Sequence, residues 1–156
     1  MPQDPDAAAL PHAAAENGYS GPTGPDPARL VESEWRRLRA QATELDTSWA
    51  EDYRSLVEAA YAEPRLRALY PFTSHWCLRF SAATRPLLDV VGPNLTTLSG
   101  GGYRVALLMS ERGRACGTAR EAVAEAVRLL PEGVGPVRYG AVPGDAGNAV
   151  EGAEGA

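Results

Sequence analysis

The sequence predicts an α+β fold: an N-terminal helix pair, a small antiparallel sheet of three to five strands, and a C-terminal helix packed on the sheet. Three observations carry this expectation. Apolar residues recur at helical spacing from Leu30 to Tyr61. Alternation takes over between Trp76 and Met109, interrupted only by short Gly- and Pro-bearing connections. Helical spacing then returns from Ala122 to Leu130. Helices first, strands joined by short turns, and a helix last is the order of an α+β domain, and it excludes a doubly wound parallel sheet.

The 156 residues point to one domain, over 27–140, with disordered tails at 1–26 and 141–156 that are rich in Pro, Ala, Gly and Asp. Formal charge is −5, and all 15 basic residues are Arg; the chain has neither Lys nor Ile. That bias is the codon signature of a GC-rich genome. It removes Schiff-base lysine chemistry and a P-loop lysine. An acidic chain argues against nucleic-acid binding, which depends on phosphate neutralisation. No stretch reaches the length of a membrane span, and the opening MPQDPD has no basic, apolar leader. A cytoplasmic protein is expected, with Cys77 and Cys116 as free thiols.

The first helix is expected to start at Asp26-Pro27, an N-cap followed by proline at N1. Leu30, Trp35, Leu38, Ala42 and Leu45 form its apolar face. Glu32 and Arg36 stand in i,i+4 order on the charged face, a pairing that contributes only about 0.2–0.5 kcal/mol. Ser48-x-x-Glu51 reads as a capping box for a second helix whose face is Trp49, Tyr53, Leu56, Val57 and Ala60. One long bent helix is the alternative, because the phase runs on. Two antiparallel helices would pack Trp35 and Trp49 into a shared core.

Pro64–Ser81, reading PRLRALYPFTSHWCLRFS, is the densest part of the chain. Pro64 ends a helix, Arg65–Leu69 add a turn, and Pro71 stops it. On a strand, Trp76, Leu78 and Phe80 would then face the core, and His75, Cys77, Arg79 and Ser81 the other side. Ala82–Pro93 reads as a connection, in which Leu87, Leu88, Val90 and Val91 either cover the core edge or form a short strand, and Leu95–Ser99 as a weak strand. Gly100–Gly102 is a turn into a strong strand, Tyr103–Met109; phosphate loops lead instead into a helix. Arg114–Gly117 follows as a short strand, Thr118-x-x-Glu121 caps the last helix, and Val137–Tyr139 adds an edge strand.

The same central run resembles the signature of a small actinobacterial family of unknown function, loosely labelled as natural-product biosynthesis proteins. Val91-Gly92-Pro93 before a Gly-rich hairpin with Tyr103, and GTAREAVAEAVRLLP from Gly117 to Pro131, are similar to the same family. The resemblance spans roughly residues 30–140 and implies an accessory role beside a gene cluster. It implies no reaction, cofactor or catalytic residue.

Candidate sites cluster in the central run. His75 and Cys77 are a nucleophile-and-base candidate, but no third orienting group lies nearby and His12 sits in the tail. Arg65, Arg67, Ser74, His75 and Arg79 are the candidate anion-binding set, weighed against a surface of ion pairs with Glu58 and Glu63. Two His and two Cys, only one pair close in sequence, do not make a metal site, and no cofactor is expected. The sequence thus favours a non-catalytic accessory or binding protein with a protein partner. A small-ligand domain or small enzyme using the His75/Cys77/Arg79 face is the alternative, and self-association through a strand edge a third reading.

Overall fold

A computed structural model describes residues 25–107 and 112–141. The expected tails at 1–26 and 141–156, and the end of the Tyr103–Met109 strand, lie almost wholly outside these residues. The architecture is α+β, as the order of periodicities requires.

Helix α1 (Pro27–Glu44) starts where expected: the Asp26 carboxylate accepts the Ala28 N–H at 3.1 Å and Pro27 sits in the first turn. It buries Val31, Trp35, Leu38 and Ala42. Helix α2 (Ala50–Ala62) is separate from α1, so the single-helix alternative falls. Its N-cap is Trp49, which makes no side-chain cap bond, so the Ser48–Glu51 box does not form. Its buried face is Ala50, Tyr53, Leu56, Val57 and Ala60. A single turn, α3 (Pro64–Arg67), follows; the Glu63 carboxylate accepts the Arg65 N–H at 3.1 Å and caps it.

Five strands form one antiparallel sheet: β1 (Tyr70–Ser74), β2 (Cys77–Ser81), β4 (Val90–Thr97), β5 (Tyr103–Leu107) and β6 (Arg114–Cys116), in that spatial order. Gly100, Gly101 and Gly102 all have positive φ and close the β4–β5 hairpin, which only glycine does without strain. Helix α4 (Ala119–Arg128) is capped by Thr118, whose hydroxyl accepts the Glu121 N–H at 3.1 Å. Leu78, Phe80, Leu95 and Val105 share one sheet face and pack with Trp35, Leu38, Leu56 and Ala126 in the main core.

Three expectations about the strands are corrected. Tyr70–Ser74 is a strand despite Pro71; it is an edge strand of the sheet, where a missing N–H costs least. His75 and Trp76 are not strand residues. They are the two-residue turn between β1 and β2, closed by the Ser74–Cys77 pair. Trp76 therefore leaves the core and is 37% exposed. Third, Val137–Tyr139 does not extend the antiparallel sheet. Strand β7 (Arg138–Gly140) pairs in parallel with β3 (Ala83–Pro86), a segment expected to be loop. Gly140 is required there, because a Cβ would collide with the carbonyl oxygens of Thr84 and Leu87.

Trp35 and Trp49 do not share a core either. Trp35 belongs to the main cluster. Trp49 packs against a small second cluster of Ala42, Tyr53 and Val57 at the α1–α2 turn. The i,i+4 partner expected for Glu32 is also replaced: its carboxylate meets Arg67 across the helices at 3.1 Å.

Candidate functional site

The candidate residues of the central run divide over three places. Arg65 and Arg67 are exposed on α3. His75 is exposed in the hairpin turn, its Nδ1 3.4 Å from the Ser74 hydroxyl. Ser74, Cys77 and Arg79 lie on the sheet face opposite the core, since Ser74 pairs with Cys77 and Phe72 with Arg79 across the hairpin. Arg79 places its guanidinium 5.5 Å from the Phe72 ring centroid.

The Cys77 thiol is buried, and burial pushes its pKa up; the charges of Arg79 and Arg104 and a backbone hydrogen bond at Leu95 only partly oppose this. A thiol held in its neutral form is a poor nucleophile. Cys116 is also buried and its thiol is pushed up in the same way. Among the described residues no three His, Cys, Asp or Glu side chains gather as metal ligands would.

A concave surface of the molecule lies at Arg67. A groove of about 480 Å³ runs between the first turns of α1, the turn α3 and the segment before β7. Ala28, Val31, Pro64, Ala68, Pro136 and Val137 form its apolar walls, and Glu32 and Arg67 are its charged members. Each wall has a local cause. Proline at the first positions of α1 and α3 starts both helices, and Ala28 and Val31 from the one line the groove together with Ala68 after the other. The α1 and α3 walls are joined by the Trp35 indole, whose N–H is shared between the Arg67 and Leu69 carbonyls at 3.0 and 3.2 Å.

Arg67 is fixed from two directions. Its guanidinium lies 4.2 Å from the Tyr61 ring centroid and bonds the Glu32 carboxylate at 3.1 Å. Arg39 covers Tyr61 too, at 4.1 Å, and is held by Glu58. A Glu58–Arg39–Tyr61–Arg67–Glu32 ladder thus crosses the helical surface and ends at the groove. Tyr61 carries no obvious motif in sequence, and Pro136 and Val137 are too far along the chain to be paired with α1 by any spacing rule. Only the density of Arg and Pro around residue 64 marked this region.

The comparisons with known proteins agree with the reach of the central signature. Residues 29–141 match a family of unknown function, DUF6193. The chain belongs to that family. The DUF6193 match takes in α1 from its third residue through β7, and so every groove residue but Ala28 and the whole hairpin. No curated protein and no solved structure matches the chain. No helix among the described residues is long and apolar enough to cross a membrane.

Proposed function

We propose that this domain is a non-catalytic binding protein that holds a small amphipathic anion in the groove at Arg67. The observation that carries this reading is the groove itself: its volume falls in the range of ligand sites, its walls are apolar, and a single guanidinium is fixed at its edge. An alkyl or ring portion would cover Val31, Ala68 and Val137. A carboxylate would accept from Arg67, replacing or sharing the Glu32 contact, which is half exposed and contributes about 0–1 kcal/mol on its own. The neutral Cys77 thiol and the turn position of His75 support a binding role over a nucleophilic one. On this reading the protein is an accessory to an actinobacterial natural-product pathway, as the signature run implies, and presents its ligand to a protein partner.

A thermal-shift and calorimetric series with decanoate and 1-decanol tests the proposal. Decanoate is expected to bind and raise Tm, decanol to bind at least tenfold more weakly. Ala68→Phe fills the groove from an exposed position and Arg67→Gln removes the guanidinium; both are expected to abolish the decanoate effect while leaving the fold intact. Equal binding of decanoate by wild type and both variants contradicts the reading.

A further inference from the structure

The five-stranded sheet has two edge strands, and they differ. β1 carries Pro71, which has no N–H to offer a further strand. β6 carries no proline, and Arg112, Gly113, Arg114 and Ala115 are all exposed. An uncovered edge of this kind is a template for another strand.

The direction of its free groups follows from the β5–β6 pairing. The Cys116 carbonyl oxygen lies 3.1 Å from the place a Cβ would take on Gly102, and the Val105 oxygen 2.7 Å from the corresponding place on Gly113, so both point between the two strands. Backbone groups alternate from one side of a strand to the other. Arg114 and Cys116 therefore bond to β5, through Val105 and Tyr103, and Ala115 turns its N–H and C=O outward. Neither group has a partner among the described residues.

A groove of about 340 Å³ runs beside this edge, between β6 and α4, with Cys116 and Ala124 as its small walls. The buried Glu125 lies in it, gripped by Arg128 at 2.6 Å and only loosely by Arg114 at 3.7 Å. The Arg114 side chain is 67% exposed. Glu121 lines the groove too, and its charge reaches the Cys116 thiol. One Glu121 oxygen accepts the Gly117 N–H at 3.0 Å, and the carboxylate enters no ion pair among the described residues. Along the strand, a loosely held cation thus lies on one side of Ala115 and a carboxylate open to a cation on the other.

We propose that β6 pairs antiparallel with the β6 of a second copy of this chain, about a two-fold axis at Ala115, so that the domain is a homodimer with one continuous sheet. Ala115 then exchanges both its outward hydrogen bonds with the Ala115 of the second copy. Arg114 of each chain falls opposite Cys116 of the other, enters the groove and meets Glu121 there. Each contact is made twice, which is the self-complementarity an isologous interface requires. A foreign strand would gain the backbone bonds but would have to carry its own cation at that one position; a second copy brings it by symmetry. The interface shares no residue with the groove at Arg67, so failure of either reading leaves the other standing.

Sedimentation of the full chain over a hundredfold range of concentration tests this, together with cross-linking by a short bismaleimide. The wild type is expected to dimerise. Ala115→Pro removes the outward N–H and is expected to weaken dimerisation at least tenfold. Arg114→Glu sets carboxylates against each other and is expected to weaken it at least threefold, while Arg67→Gln changes nothing. Ala115→Cys places two thiols at the axis and is expected to cross-link as a dimer. The wild type, whose Cys77 and Cys116 are buried, and Ser99→Cys in the exposed β4–β5 turn are not. The cross-link leaves the strand intact, so it decides the matter if Ala115→Pro fails to fold. A monomeric wild type overturns the proposal and leaves the edge to a different chain. So does a folded Ala115→Pro variant that dimerises as the wild type does, or an Ala115→Cys variant that cross-links no better than Ser99→Cys, since either would place the interface elsewhere.

Discussion

Trp35 and Trp76 occupy opposite extremes within one small domain. Trp35 has no exposed surface, donates its N–H to two carbonyls, and packs against Phe80 and Tyr61. Trp76 sits in a left-handed turn, over a third exposed, with tilted and edge-on ring contacts to Trp49 and Tyr53. The first is where the helices, α3 and the sheet meet, so its chemistry is that of a core. The second adds little that a two-residue turn needs. The same residue type is thus a core joint in one place and an exposed turn residue in the other. Burial, hydrogen-bond satisfaction and backbone geometry tell them apart.

The largest effect should fall on the core side. Trp35→Ala is expected to cost about 3–5 kcal/mol, because it opens a large cavity and strips two carbonyls of their donor. Urea denaturation measures this directly. A loss below about 2 kcal/mol would mean that Trp35 is not the joint between α1 and α3.

A smaller effect of opposite sign is expected beneath the hairpin. Tyr53→Phe removes a buried hydroxyl that has no partner, and so should leave stability unchanged or raise it by about 1 kcal/mol. The same residue gives a pH signature. Burial pushes the Tyr53 phenol up to about 12, against about 10 in an unfolded chain. The unfolded chain releases this proton first, so the contribution is fully present below about pH 10 and is lost as pH rises towards about 12. The alkaline slope of stability should flatten in Tyr53→Phe. An unchanged slope, or a stability loss above about 1 kcal/mol, would show a partner for the hydroxyl.

Much of the fold was legible because it rests on period and punctuation. Asp26-Pro27, the faces around Trp35 and Leu56, the triglycine turn and the Thr118 cap stand where local chemistry places them. The hairpin tip was not legible. Its turn carries His-Trp instead of a residue pair that favours positive φ, so alternation ran straight through it and put Trp76 on the core face. Strand β1 was hidden by Pro71, and the β3–β7 pairing joins segments that no local pattern connects. The candidate site followed the same division. Arg67 was singled out by its neighbourhood, whereas its place in a groove depends on Pro136 and Val137, which arrive from the far end of the chain.

The most direct test of the contrast between the two tryptophans is the unfolding free energy of the His75→Asn, Trp76→Gly variant in urea. Relief of strain at two turn positions, about 1–3 kcal/mol each, should offset the lost ring contacts. The expected result is a stability within about 1 kcal/mol of wild type. A loss of about 3 kcal/mol or more would place Trp76 with Trp35 as a structural residue, and the contrast between the two tryptophans would fail.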